Sequence, residues 1–446
     1  MKKTALCSAI LACFALAQPA VADEMSDLKA EIAAQRAAAA AQQARLDALE
    51  KKLMNVQVQQ EQQQAAQAAA ETKAAPMSGY KRGEGLSLGN ADGFVTLYGL
   101  IDVSYVHTDH ANAAGNSVTT PRVAWFSGNR WGMNGSRKMG DSGLNVIFRL
   151  ESEYESQTGS MDTAGVLFNR DAWVGVESKD LGKLTLGRQN SIARDPASSA
   201  IYGDPYGPAA PSTEEGGYTN NNNFKQLIFY AGSATGTRID NGVVWKKAFT
   251  NGLLVGAEYQ FGGVAGDFSK GSTKTLTLAY AGGQYNLAGF ATSANVAGLT
   301  NTSYSVGGNV QIGEVRLNSG FFHYTADQGA AGVLGKRKDT AYTLSAKWSP
   351  AGPVDYTLGY QVMKADHAAV NGSGNVINAF GNASAASATA TGSRSTLYTA
   401  ASYHFDKITE IYVAGDYLKL KDGYKVGATN GSTSQTEVAV GMRTKF

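Results

Sequence analysis

Apolar and polar residues alternate with a period of two through most of this chain. In 253–261, Leu253, Val255, Ala257, Tyr259 and Phe261 oppose Gly256, Glu258 and Gln260. In 354–362, Val354, Tyr356, Leu358, Tyr360 and Val362 oppose Asp355, Thr357 and Gln361. The last ten residues repeat the pattern, with Val438, Val440, Met442 and Phe446 against Glu437, Arg443 and Lys445. Side chains of an extended chain alternate faces, so each segment is a strand with one apolar and one wet face. The same reading gives strands at 93–106, 129–139, 143–157, 166–177, 183–189, 237–247, 253–262, 274–285, 287–298, 302–312, 314–325, 338–349, 354–365, 394–405, 409–420 and 434–446. Many of them approach the roughly ten residues that cross a bilayer at a tilt. The expected fold is an all-β transmembrane barrel of about 16 antiparallel strands, with a helical coiled coil before it.

Connection lengths support a barrel. Short turns are expected at 140–143, 180–182, 251–252, around Asn286, at 313–314, 350–353 and 406–407, and most other connections, including 107–128, 190–236, 366–393 and 421–433, are longer. Short turns at one end and long loops at the other mark an outer-membrane barrel, and an even strand count leaves both barrel ends in the periplasm. Trp245, Trp348, Phe405 and Phe446 lie close to the short-turn end, where an interfacial aromatic girdle belongs.

The region before the strands is different. Lys2 and Lys3, an apolar run from Thr4 to Ala17 and then Ala20-Val21-Ala22 predict a signal peptide over 1–22, cut before Asp23. The run is too short to span a bilayer as a helix. Cys7 and Cys13 leave with it, so the mature chain has neither disulfide nor thiolate metal site. The formal charge of +2 falls near zero once Lys2 and Lys3 are removed, which argues against a nucleic-acid partner. Residues 23–75 are rich in Ala, Gln, Glu and Lys. A heptad runs through Met25, Ile32, Ala39, Leu46 and Leu53 at one core position, and Leu28, Gln35, Gln42, Leu49 and Val56 at the other. Leu28, Ile32, Leu46, Leu49, Leu53 and Val56 are the expected core of a periplasmic coiled coil. Residues 76–92, with four glycines, read as a flexible linker, and 93–446 as the barrel domain.

Several motifs carry a family resemblance. Phe94-Val95-Thr96-Leu97-Tyr98-Gly99, Arg130-Trp131-Gly132-Met133-Asn134-Gly135-Ser136, Leu167-Phe168-Asn169-Arg170 leading to Val174-Gly175, Leu184-Thr185-Leu186-Gly187-Arg188-Gln189 and the terminal phenylalanine resemble the trimeric general-diffusion porins of Gram-negative bacteria, β-proteobacterial type. The resemblance covers about residue 93 onward. It implies a homotrimer in the cell outer membrane, surrounded by its lipid, with three separate water-filled pores for passive diffusion of small hydrophilic solutes and ions.

In that family the third outer loop folds inward and narrows the pore. Here it is 190–236, long enough on its own account to be more than a surface connection. Asp204-Pro205-Tyr206-Gly207 resembles the family's constriction motif, and Asp195, Glu214 and Glu215 add carboxylates to the loop. Alternation turns Arg130, Asn134, Arg149 and Lys246 inward, with Arg238 and Asp240 expected on the side of Lys246. Arg170 is inward by resemblance. Asn134 stands where many relatives carry lysine, which is expected to weaken any preference for anions. Carboxylates facing arginines across confined water would set a transverse field that biases ion traffic without tight binding.

Catalytic and metal chemistry is not expected. Of the five histidines, His107 and His110 lie in an outer loop, and His323, His367 and His404 form no ligand set. Ser402 and His404 share a face but lack a glycine-framed nucleophile and an orienting carboxylate. No cofactor is implied. The alternatives to a passive pore are a substrate-selective channel and an envelope tether whose coil binds peptidoglycan.

Overall fold

The computed structural model describes residues 29–38, 40–49, 51–52, 79–112, 114–123, 125–197, 237–296, 298–328, 335–370, 387–422 and 432–446. The chain divides into two compact units, 1–75 and 76–446. Every described residue of the first is helical and exposed. Its side chains favour this: Ala, Gln, Leu, Lys and Arg lose little on entering a helix, and Gln43 Nε2 donates to Asp47 Oδ1, one turn on, at 3.1 Å. Ile32, Leu46 and Leu49 are large apolar residues standing in the open on this helix. Leu28, Leu53, Val56 and the signal region lie outside the described residues.

The second unit is one nineteen-stranded antiparallel sheet. Its strands are β1 (Gly79–Lys81), β2 (Gly85–Asn90), β3 (Gly93–Thr108), β4 (Val118–Val123), β5 (Arg130–Lys138), β6 (Asn145–Glu153), β7 (Asp171–Ser178), β8 (Gly182–Asn190), β9 (Arg238–Ala248) and β10 (Leu253–Gln260). They continue with β11 (Thr273–Ala281), β12 (Tyr285–Val296), β13 (Leu299–Ile312), β14 (Val315–Asp327), β15 (Lys336–Trp348), β16 (Val354–Val370), β17 (Ser387–His404), β18 (Thr409–Asp422) and β19 (Ser434–Lys445). Strands β3 and β5–β19 pair in chain order, and β19 pairs back onto β3. The result is a closed barrel of sixteen strands, each matching one read from the alternation.

The register explains which residues face out. Leu278, Gly289, Val306, Phe321, Tyr342 and Val362 are partners across six adjacent strands. Such rows leave Leu276, Leu344, Val413 and Val440 more than half exposed, as an apolar band facing lipid requires. The opposite face of the same strands is polar: Glu258, Thr275, Asn318, Gln361, Asp416 and Glu437 all point inward. Near the short turns the expected girdle is present. Trp348 Nε1 reaches Glu314 Oε2 at 3.1 Å and its ring stacks on Tyr356, while Trp245 Nε1 donates to Leu181 O at 2.8 Å. Each indole keeps its ring in the apolar band and its N–H at the wet edge.

Four regions depart from the sequence expectation. Within 76–92, the described residues 79–92 hold two strands instead of a loose linker. Strand β2 pairs with Gly93–Leu97 of β3, on the same edge that β19 occupies from Leu100 to Thr108. Between them Phe446 and Gly99 exchange backbone hydrogen bonds at 3.0 Å. The Phe446 ring fills the space over Gly99, where a Cβ would stand 2.2 Å from it. Secondly, 107–128 is not a plain outer loop. It contains β4, after which Trp125–Asn129 turns into the barrel against Val106, Ala400, Tyr412, Ala414 and Ala439. Asp102 holds it there, accepting from Phe126 N at 2.9 Å, Ser127 N at 2.8 Å and the Tyr412 hydroxyl at 2.6 Å. Thirdly, the strands expected at 143–157 and 166–177 shrink to β6 and β7, because Asn169 turns back to accept from Glu153 N at 2.8 Å. Finally, the turn expected at Asn286 falls at 282–284, where Gly283 supplies φ +77.

The β1–β2 hairpin is tied to the turn between β17 and β18 by an ion pair of Arg82 with Asp406. The Asp406 carboxyl is held below its ordinary value of 3.8, first by the Ile408 backbone N–H, then by that of Thr409 and by the Arg82 charge. A depressed carboxyl stabilises the attachment fully above that ordinary value, and the contribution is lost as pH falls through the lowered one. The protection of the β2 amides, the slowing of their exchange relative to the intrinsic rate at the same pH, is therefore expected to fall on acidification below the carboxylate range. In Asp406→Asn it is expected to be low already at neutral pH and to change little with acid. Equal protection at both pH values in the unsubstituted chain would exclude the ion pair as the attachment.

Candidate functional site

The inner faces of β5–β9 and the residues just before β7 gather a dense cluster of inward charge. Arg149 is register partner of Asn134, which is partner of the inward Thr96, so alternation places it in the lumen as expected. The same alternation carries Glu151 and Glu153 inward behind it. Arg130 pairs with the wholly buried Leu100 and is inward too; its Nε donates to Gly128 O at 2.8 Å. Arg170 precedes β7, so strand alternation does not govern it. Its backbone N–H donates to Glu151 O at 3.1 Å, and its guanidinium bridges Glu151 and Glu153. Arg238 Nη2 approaches Glu153 at 3.7 Å, Arg149 Nη1 approaches Asp171 at 3.9 Å, and the Tyr98 hydroxyl donates to Glu151 at 2.8 Å.

Among the described residues the cluster thus sets four arginines (130, 149, 170 and 238) against Glu151, Glu153 and Asp171. Its members divide by exposure. The Arg170 side chain is 3% exposed and is locked between two carboxylates, whereas that of Arg149 is 34% exposed, with its guanidinium 5.8 Å from the Tyr98 ring centre. Arg170 therefore holds the wall together, and Arg149 presents charge to the lumen.

Lys246 is inward, the partner of Lys183 and Gly256. Lys183 Nζ lies 5.1 Å from the centre of the Trp173 ring, on the same inward face. Asp240 does not share that side. A register shift between Gly187 and Gln189, with Asn241 at φ 50, inserts an extra residue into β9. The bulge flips the alternation, and Asp240 pairs with Arg188. Arg238 still reaches the cluster from the far side of the bulge.

The long connection after β8 begins by turning inward. A 3₁₀ turn, Ile192–Ala197, packs inside the barrel, where Ile192 meets Ile239 and Val244. Glu258 on the inner wall of β10 accepts from Ser191 Oγ at 2.9 Å, Ile192 N at 2.7 Å and Thr275 Oγ1 at 2.7 Å. Thr277 Oγ1 donates to Ile192 O at 3.2 Å. Asp195 belongs to this turn. Asp204, Glu214 and Glu215 lie outside the described residues. Among the described residues no group of three or more His, Cys, Asp or Glu could hold a metal ion.

Residues 65–423 match the family model for Gram-negative porins. The chain belongs to that family. An outer-membrane porin protein of Bordetella pertussis is 30% identical over 247 residues, which cover 51% of this chain and 55% of that protein. The porin thus aligns with little more than half of that relative's length. Among solved structures, the anion-selective porin of Comamonas acidovorans superposes with a TM-score of 0.58 at 20% identity, over 79% of this porin and 100% of that chain. The trimer form of OmpT from Vibrio cholerae gives 0.54 at 14% identity, over 79% and 99%. At these identities the two structures share the fold.

Proposed function

We propose that the porin forms a water-filled channel in the outer membrane, through which small hydrophilic solutes and ions diffuse down their gradients. The observation that carries this is the lumen itself: a closed barrel with an apolar exterior and a charged inner wall, entered by a loop anchored on Glu258. A solute crossing at this level exchanges bulk water for confined water beside Arg149 and Lys246. The arginines and lysines of this wall attract anions without a closed cage that would retain them. A mild anion preference follows, in line with the anion selectivity for which the Comamonas porin is named. Loop residues Asp195, Asp204, Glu214 and Glu215 are the proposed negative counterpart. Association as a homotrimer is supported by the trimer form among the fold neighbours. A trimer would hold three N-termini close together and bring the three copies of 23–75 to an effective concentration of order millimolar. In that arrangement the coil lies in the periplasm and is free to contact peptidoglycan.

Single-channel recording in a salt gradient tests the reading. The expected result is stable open conductance with a reversal potential on the anion side of zero. A chain that folds into a barrel yet conducts nothing would refute it.

A further inference from the structure

The inward turn at Trp125–Asn129 meets the arginine cluster at Gly128. The Gly128 carbonyl accepts from Arg130 Nε at 2.8 Å, and its bare Cα faces Glu153. A Cβ on Gly128 would stand 1.8 Å from Glu153 Oε1 and 2.5 Å from its Cδ, well inside the roughly 3.5 Å of ordinary contact. The backbone itself does not call for glycine here, because the φ of Gly128 is not positive. Its empty side is a fitted slot, and a carboxylate fills it.

The two sides of the slot differ in freedom. The turn is pinned on both flanks of Gly128. Ser127 N donates to Asp102 at 2.8 Å, Ser127 Oγ accepts from Arg443 Nη1 at 2.9 Å, and Asn129 O accepts from Tyr154 N at 3.1 Å. Glu153 meets the slot with the far end of a flexible side chain, with Arg170 Nη1 in contact and Arg238 Nη2 at 3.7 Å. A methyl group at 128 would therefore move the carboxylate and leave the turn in place. The carboxylate cannot retreat into Arg170, which it already touches, so it would swing out of the slot toward the water of the lumen.

We infer that Gly128 is a positioning residue for the selectivity of the pore: its missing side chain keeps the Glu153 carboxylate against Arg170 and Arg238, and so sets how much positive charge the wall shows to passing ions. A carboxylate inside the slot offsets charge directly beside the two guanidinium groups. One that swings into lumen water is screened from them, while the arginines stay fixed to the wall. The effect on ions rests on the channel reading above. The positioning of Glu153 stands apart from it.

The test compares the unsubstituted full-length porin with Gly128→Ala, Glu153→Gln and the double variant, with heat-modifiable gel mobility reporting whether each is folded. In a salt gradient, Gly128→Ala is expected to raise the anion-to-cation permeability ratio about two- to threefold, the size expected for one screened neighbouring charge. Glu153→Gln is expected to raise it at least as far. The double variant is expected to match Glu153→Gln, because the group that the methyl displaces is then neutral. A turn merely loosened by the methyl would shift the ratio equally in both backgrounds. That result would overturn the inference, and so would an unchanged ratio in folded Gly128→Ala. Phenylglyoxal labelling of Arg238, read by peptide mass spectrometry on the folded porin, needs no current. It is expected to rise severalfold in Gly128→Ala, and unchanged labelling would again overturn the inference. If the unsubstituted porin does not conduct, the channel reading falls and the labelling alone decides this one. Should Gly128→Ala not fold, Gly128→Ala with Glu153→Asp, whose carboxylate stands one methylene further back, is expected to fold. Failure of that pair as well would place the collision elsewhere and overturn the inference.

Discussion

Glu258→Ala is expected to raise the single-channel conductance and make it noisier. The carboxylate is buried and is the common acceptor for Ser191, Ile192 and Thr275. Its removal leaves these donors without an acceptor on a buried wall, at a cost of about 3–5 kcal/mol if the turn stays in place. Releasing Ile192–Ala197 from the wall avoids much of that cost, and the lumen widens where the long connection enters it. Glu258→Gln keeps one acceptor oxygen and is expected to fall between the two. Planar-bilayer recording measures the step, and a thermal melt by gel mobility measures the barrel. An unchanged step with an unchanged melt would mean that the turn is held by other contacts.

Arg170→Met and Arg149→Met are expected to separate structure from conduction. Arg170 is buried between Glu151 and Glu153, so its loss leaves two carboxylates underpaired and costs about 3–5 kcal/mol of barrel stability. Arg149 is a third exposed, and it approaches the Asp171 carboxylate at 3.9 Å. Its loss is expected to cost under about 1 kcal/mol, because solvent already screens it. It should instead move the reversal potential toward cations. The two readouts are the unfolding midpoint and the reversal potential in a salt gradient. Arg149→Met melting early with selectivity unchanged would reverse the assignment.

The strands were legible because a barrel strand repeats one physical demand, lipid on one side and water on the other, over its whole length. Alternation alone placed Arg130, Arg149 and Lys246 in the lumen. Carried two and four residues further it also reaches Glu151 and Glu153, the partners that make Arg170 structural. What alternation could not reach are places where the backbone leaves the pleat. The bulge at Asn241 moved Asp240 off the expected face. Arg170 sits before its strand begins, and resemblance located it where periodicity was ambiguous. Trp125–Asn129 and the anchoring role of Glu258 depend on contacts between distant segments, Asp102 with Phe126 and Glu258 with Ile192. The helix at 29–52 was legible from composition and heptad spacing, although a heptad says nothing of how many chains share it.

The strand taken up by residues 85–90 also bears on how the barrel closes. A last strand meeting a first can slide, and a slip of one residue would turn every side chain of β19 to the wrong face. A slip of two residues preserves the faces, so hydrophobic patterning alone does not forbid it. Here the edge of β3 below Gly99 is already occupied by β2, with Leu86 opposite Leu97. A β19 shifted two residues downward would drive Phe446 into Leu86, and one shifted upward would open a gap beside Gly99. The segment ahead of the barrel therefore works as a doorstop, defining one stagger, and with it one circumference and one tilt, for a wall that would otherwise have several.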